Sequence, residues 1–107
     1  MIQCHFFASD NRFVGFAING HDDPDDVSGI SLLCAAVSSA VYCTVNTITD
    51  VAGVDPLVLE TGDGLLTLRL RREDALKCRM ILDGLHLHLS ALAEDYETLL
   101  TVNITEV

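Results

Sequence analysis

The sequence has few basic residues and no closely paired cysteines. Lys and Arg number 6 against 16 Asp and Glu, which gives a formal net charge of -10 at pH 7. This charge argues against direct nucleic acid binding through a general positive field. Five of the six basic residues fall within residues 69–79. We expect them to be solvated side chains on a strand edge and at a helix start, and this interpretation is favoured over a local contact with a phosphate group. The 4 cysteines include no C-x-x-C pair and no zinc spacing, so we expect thiols in a reducing compartment.

Targeting signals are also lacking. Residues 1–10 contain no basic region followed by an apolar one, so we expect a cytoplasmic protein without a signal peptide. Residues 30–48 carry no charge and approach membrane-spanning length. The serines and threonines in this stretch, its acidic flanks and the strands predicted on either side favour a buried helix, and no membrane partner is expected.

The composition suits a single domain over residues 1–107. Half of the 107 residues are hydrophobic and the mean hydropathy is +0.37. The chain is therefore long enough to bury one hydrophobic core but too short to form two domains. Such an apolar small protein is expected to cover part of its surface with a partner, most simply as a homodimer. The acidic charge favours a basic protein or peptide as a further partner.

Hydrophobic periodicity predicts the order of the elements. Alternating stretches around Ser9-Asp10-Asn11 predict one β-hairpin, and a second is centred on the turn at residues 61–64. Apolar residues at helical spacing predict one helix from Ile30 to Gly53 and another that starts near residues 73–74. A final strand covers residues 100–104. The predicted fold class is α+β, with two helices packed on one face of a mostly antiparallel sheet in the order ββ-α-ββ-α-β.

Cys34 differs from the other cysteines in its position. Ser31 is a good N-cap, which places Cys34 in the first turn of the first helix. Unpaired backbone N–H groups and the helix dipole favour the thiolate there, and the same groups could hold an oxyanion. Cys34 also lies on the apolar stripe of the helix, so a packing role remains open. Cys4, Cys43 and Cys78 are predicted to pack in the core or at an interface.

His21 follows Gly20 at the predicted end of the second strand. From there a side chain can point toward the start of the following helix. An imidazole in that place could take the thiol proton and return it to a leaving amine, as acyl transfer from a peptide requires. A surface histidine in an acidic turn is the alternative.

Two further groups resemble metal ligands. Four aspartates within residues 22–26 could bind Ca²⁺ or Mg²⁺, but they lack EF-hand spacing, so a solvated loop is favoured. His86 and His88 would point to opposite edges of the apolar stripe on the second predicted helix, so they are not expected to bind one metal ion together. We therefore expect no metal and no cofactor.

Gly20-His21, the acidic loop and Cys34-Ala35-Ala36-Val37-Ser38 together resemble the ribosomal-processing cysteine protease family, Prp. The resemblance covers essentially the whole chain, from the N-terminal hairpin to the Leu-rich second helix and the terminal strand. It implies a homodimeric cysteine endopeptidase that removes a short N-terminal extension from a large-subunit ribosomal protein. Cys34 would be the nucleophile, and His21 the general base and acid.

The resemblance also implies residues that support the substrate or the site. These are Gly20, Asp22, Ser31, Ala35 and Ser38. The family usually has Gly-His-Ala and an acidic residue three positions before the cysteine, where this chain has Asp22 and Ser31. Ser31 can cap the helix but supplies no carboxylate to orient an imidazole. The alternative function is a non-catalytic dimeric module that binds a basic ribosomal protein, which the net charge and these two differences favour.

Overall fold

The sheet is built around the N-terminal hairpin. A computed structural model describes residues 1–20 and 32–107. Strands β1 (Ile2–Ser9) and β2 (Arg12–Asn19) pair antiparallel across the turn Asp10-Asn11, whose two residues have φ of 54° and 63°. Asp and Asn tolerate this left-handed conformation, and two such residues form the turn that matches the twist of paired strands. The first predicted hairpin is confirmed.

Three further strands complete a five-stranded sheet of order β3-β4-β2-β1-β5. The second predicted hairpin consists of β3 (Val58–Gly62) and β4 (Leu65–Arg69), and β4 also pairs antiparallel with β2. The terminal strand β5 (Leu100–Glu106) pairs with β1 in parallel. The sheet is therefore mixed but mostly antiparallel, as predicted.

The first helix ends where its glycine predicts. Helix α1 (Leu32–Asn46) continues into one π-helical turn (Thr47–Val51). Gly53 has a φ of +69°, and beyond it the Val54 N–H donates to the Ile48 carbonyl at 2.9 Å. A residue with positive φ followed by such a long-range backbone bond is a common helix terminus.

By length and composition alone, the segment Leu32–Val51 could cross a membrane, with 20 residues and a mean hydropathy of 1.5. In this structure one side of it packs in the core, through Leu33, Val37 and Val41. Threonine hydroxyls within the segment donate to carbonyl oxygens one turn earlier, which satisfies polar groups in a helical segment whose one charged side chain is that of Asp50. These contacts are typical of a core helix.

The second predicted helix is divided into two segments. Helix α2 (Arg72–Lys77) and helix α3 (Arg79–Asp95) are separated by Cys78, whose φ of -99° and ψ of 11° lie outside the helical range. The Cys78 side chain is fully buried at this junction. The element order is therefore ββ-α-ββ-αα-β. The apolar stripe that was predicted for one helix is divided between α2 and α3.

The core lies between one face of the sheet and helices α1 and α3. Inward-facing side chains of the three central strands pack against the apolar stripes of both helices. They include Ile2, Cys4, Phe6, Phe16, Leu68, Val37, Val41, Leu82, Leu85 and Leu89. The predicted placement of the helices on one face of the sheet is confirmed.

The two histidines of α3 have separate surroundings. The His86 ring meets Phe6 edge-on with 5.0 Å between ring centroids, whereas His88 is exposed. His86 therefore contributes to packing at the boundary of the core.

Candidate active site

A cleft of about 230 Å³ lies where the paired ends of β1 and β2 meet the β3–β4 turn and α1. Ile2 and Ile18 line it from the strand ends, and Cys34 and Ser38 line it from α1. The β3–β4 turn closes the third side with Asp63 and its neighbours. The walls are mostly apolar, with a thiol, hydroxyls and one carboxylate placed among them, which is the usual composition of a ligand site.

Cys34 lies on α1, two residues after Leu32, and is half-buried in the wall of the cleft. The residues before Leu32 lie outside the described ranges, so the position of Cys34 in the first helical turn stays a prediction. Ser38 lies one turn later on the same helix face. The helix thus presents a thiol and a hydroxyl to one cleft.

The other three cysteines have different surroundings. Burial raises the pKa of Cys4 to about 12. Burial, with a smaller contribution from Asp74, also raises the pKa of the Cys78 thiol. Both thiols therefore stay protonated and unreactive near neutral pH, in agreement with the predicted core role. Cys43 is exposed, so it does not pack in the core of this chain, and its packing at an interface stays a prediction.

Gly20 fixes the end of β2 at the edge of the cleft. Its φ is +98°, and a Cβ at this position would overlap the carbonyl oxygen of Met1. Glycine is the residue that accepts both the conformation and the close approach. The Gly20 N–H also donates to the Gly64 carbonyl at 3.0 Å. Gly20 therefore contacts both the start of β1 and the β3–β4 turn, and it holds the two segments together at the edge of the cleft.

The β3–β4 turn brings a carboxylate that the sequence patterns did not assign to the site. Gly62 pairs with Leu65, so Asp63 and Gly64 form a two-residue turn, with φ of +69° at Gly64. Among the described residues that line the cleft, Asp63 is the one acidic side chain. The sequence marks this segment only as a turn. Its position at the cleft follows from the pairing of β4 beside β2, which local patterns do not reveal.

Four of the predicted site residues are not brought to the cleft by the described part of the chain. His21, Asp22 and Ser31 lie outside the described residues, together with the rest of the acidic loop. Ala35 is exposed on α1 and is not among the residues that line the cleft. The roles of these four residues stay predictions. In the ranges 1–20 and 32–107, no three His, Cys, Asp or Glu side chains are grouped closely enough to hold a metal ion.

Solved structures share this fold over almost the whole chain. An S. aureus ribosomal processing protease Prp, in complex with a covalently linked product peptide, has a TM-score of 0.86 and 21% identity, covering 98% of this chain and 100% of that chain. The Streptococcus mutans protein SMU.848 has a TM-score of 0.82 and 23% identity, covering 100% and 96%. The comparison with curated protein sequences found no significant match.

The family match and the shared fold define a cysteine peptidase of the α+β class. The family model of cysteine protease Prp matches residues 1–101. The chain therefore belongs to the Prp family, and the resemblance seen in the sequence is confirmed.

Proposed function

We propose that this peptidase removes a short N-terminal extension from a large-subunit ribosomal protein. One S. aureus structure of the same fold is a ribosomal processing protease in complex with a substrate peptide, with a TM-score of 0.84 and 20% identity. A second S. aureus complex holds a covalently linked product peptide. The observation that carries the proposal is the position of Cys34 on α1, in the wall of an open cleft.

In the proposed reaction, the Cys34 thiolate attacks the carbonyl carbon of the scissile peptide bond. A carbon–sulfur bond forms, and the negative charge on the carbonyl oxygen is stabilised by N–H groups of the first helical turn. When the carbon–nitrogen bond breaks, the protonated His21 imidazole gives its proton to the leaving amine. Water then attacks the thioester carbonyl and gives one proton to His21. The carbon–sulfur bond breaks, which returns the Cys34 thiolate, and the N-terminal peptide leaves as a carboxylic acid that releases its proton to solvent.

The remaining predicted residues support this reaction. Gly20 allows the close meeting of chain segments beside the cleft, and Ser38 offers a hydroxyl one turn from the nucleophile. Ser31 is proposed to cap α1. Asp22 and Ala35 are proposed to contact the peptide on either side of the Cys–His pair. The mechanism uses no metal or cofactor.

The net charge supports a proposal for the substrate protein, and exposed apolar side chains support a proposal for the oligomeric state. A net charge of -10 favours the approach of a basic substrate protein, so we expect cleavage to slow as salt is added. Met80 and Leu87 are 88% and 73% exposed and lie seven residues apart on α3, so they share one face. We propose that this face is covered in a homodimer. We also propose a cytoplasmic location, because no disulfide joins the 4 cysteines, all of which lie within the described residues.

The proposed function is tested with the full-length ribosomal protein of the same organism. The protein is incubated with wild type, Cys34→Ala, His21→Ala and the control Cys43→Ala, and its N-terminus is measured by mass spectrometry. We expect wild type and Cys43→Ala to remove the N-terminal peptide. Loss of the nucleophile or the base lowers the rate by at least about 10³-fold.

Two results would contradict the proposal. Undiminished cleavage by Cys34→Ala would show that Cys34 is not the nucleophile. Tight binding of the ribosomal protein without cleavage by the wild type, when the substrate carries an extension, would favour the non-catalytic binding module instead.

A further inference from the structure

Strand β3 forms one edge of the sheet, and its last residue reaches the cleft. In the strand order β3-β4-β2-β1-β5, the one neighbour of β3 among residues 1–20 and 32–107 is β4. Gly62, at the end of β3, lines the cleft together with Cys34. The opposite edge strand, β5, contributes none of the described residues that line this cleft. The outer edge of β3 therefore leads to the proposed nucleophile.

Backbone hydrogen bonds at the two ends of β4 show which way its N–H and C=O groups point. The Gly64 carbonyl accepts a bond at 3.0 Å from the residue that follows β2, and the Leu70 N–H donates at 2.8 Å to a carbonyl of β2. In a strand, the N–H and C=O of one residue point to one side, and those of the next residue point to the other. Leu66 and Leu68 alternate in phase with Gly64 and Leu70, so their backbone groups also point toward β2.

The pairing of β3 with β4 then identifies the groups at the edge. Leu59 lies opposite Leu68, and Thr61 lies opposite Leu66. Two opposite residues of an antiparallel pair either exchange both hydrogen bonds or exchange none. Because the two leucines of β4 bond toward β2, the N–H and C=O groups of Leu59 and Thr61 point outward, away from β4. The edge thus presents two donors and two acceptors at alternate residues.

The side chains of this edge favour an added strand. Leu59 is 43% exposed, although Leu68 opposite it is fully buried. Strand β3 contains neither proline nor lysine, the residues that often protect an edge strand from pairing. An extended peptide can bind to such an edge as a further strand, with backbone bonds for affinity and side-chain contacts for selectivity. Because the edge is continuous with the cleft, the peptide that fits it is the one held for cleavage.

We propose that the substrate segment beside the scissile bond binds as an added strand along β3, through the backbone groups of Leu59 and Thr61. The inference rests on the proposed function, because it takes the ribosomal protein as the bound chain. A strand rises about 3.4 Å per residue, so Leu59 lies about 10 Å along β3 from Gly62. The contacts with β3 therefore fall within about five residues of the scissile bond.

The first test blocks the edge with proline. Proline has no N–H and is tolerated on an edge strand where the N–H faces solvent, so Thr61→Pro removes one outward donor and keeps the pairing with β4. The control is Ile104→Pro on the opposite edge strand. The Val107 N–H donates to the Ala8 carbonyl of β1, so by the same alternation the Ile104 N–H points away from β1. Circular dichroism melting shows whether each variant is folded.

Binding is measured apart from cleavage. Both proline substitutions are made in Cys34→Ala, and fluorescence anisotropy gives the Kd of a labelled synthetic peptide that spans the N-terminal extension and the residues after it. We expect Thr61→Pro to raise Kd about tenfold or more, because a backbone bond is lost and the proline ring obstructs pairing. Ile104→Pro keeps the Kd of Cys34→Ala.

The second test changes the peptide and leaves the edge intact. Single backbone N-methyl groups are placed in turn along the peptide, and each removes one N–H and obstructs pairing on that side. Alternate residues of an added strand face β3. We therefore expect binding to Cys34→Ala to weaken about tenfold at two positions that are separated by one insensitive residue. In Thr61→Pro the effect at these positions should shrink, because the pairing is already impaired.

The possible failures are distinguishable. An unchanged Kd in folded Thr61→Pro, or N-methyl effects at adjacent rather than alternate positions, would overturn the role of β3, even if wild type cleaves and Cys34→Ala does not. If Thr61→Pro does not fold, the N-methyl scan decides by the same criterion. Alternating N-methyl sensitivity without cleavage by the wild type would overturn the proposed function and support the added strand.

Discussion

Replacement of Gly20 by alanine tests how the cleft is held together. The residue has a φ of +98°, and its new Cβ would overlap the carbonyl oxygen of Met1. A left-handed conformation costs an alanine about 1–2 kcal/mol, and relief of the overlap by a backbone shift costs about 1–3 kcal/mol more. We therefore expect the free energy of unfolding to fall by about 2–5 kcal/mol. At about 4 °C per kcal/mol for a chain of this size, Tm falls by roughly 8–20 °C.

Two matched variants separate the contributions. Gly53 has a φ of +69°, but a Cβ at this position would have no atom within 4 Å, so Gly53→Ala carries the conformational cost alone. Gly84 lies inside α3 with open space and no positive φ, so Gly84→Ala stabilises the helix by about 0.5–1 kcal/mol. Urea and thermal unfolding, followed by circular dichroism, measure all three variants. If Gly20→Ala unfolds like Gly53→Ala, the contact with Met1 does not constrain this end of the sheet, and the reasoning is refuted.

Cysteine chemistry gives two further predictions. In folded protein at pH 8, alkylation followed by peptide mass spectrometry will label Cys34 and Cys43 and spare the buried Cys4 and Cys78; rapid labelling of Cys4 would contradict its burial. Burial raises the pKa of Cys4 to about 12 from its ordinary value of 9.0, so between these values the unfolded state binds fewer protons than the folded state. Stability should therefore fall as pH rises above about 9, by up to about 1.4 kcal/mol per pH unit from this group. Urea unfolding should show a shallower alkaline decline in Cys4→Ala, and an unchanged slope would count against the argument.

Much of the fold is predictable because its signals are local. The alternation of β1 and β2, the Asp10-Asn11 turn and the apolar stripe of α1 each lie within one short segment. The position of Cys34 on the first helix follows from the same local pattern. The break at Cys78 was not predicted, because the apolar stripe continues through it and only the backbone angles reveal it.

The parts of the site that come from distant segments were not predictable. Asp63 reaches the cleft because β4 pairs with β2 and because Gly20 donates to the Gly64 carbonyl. Neither contact leaves a periodic pattern in the sequence. Thr44 occupies the buried face of α1 and Cys43 is exposed, and of the two predicted roles of Cys43 only packing at an interface remains open. The contacts between distant strands and turns, rather than local sequence propensity, decide which of these side chains reach the cleft.

The central claim is that Cys34 forms a covalent acyl intermediate, and trapping that intermediate tests it most directly. The enzyme is mixed with a substrate peptide, quenched in acid within the first turnover and analysed by mass spectrometry. We predict a mass increase equal to the N-terminal fragment less one water, on the proteolytic peptide that contains Cys34, and none in Cys34→Ala. An adduct on another residue, or turnover by Cys34→Ala without an adduct, would contradict the account.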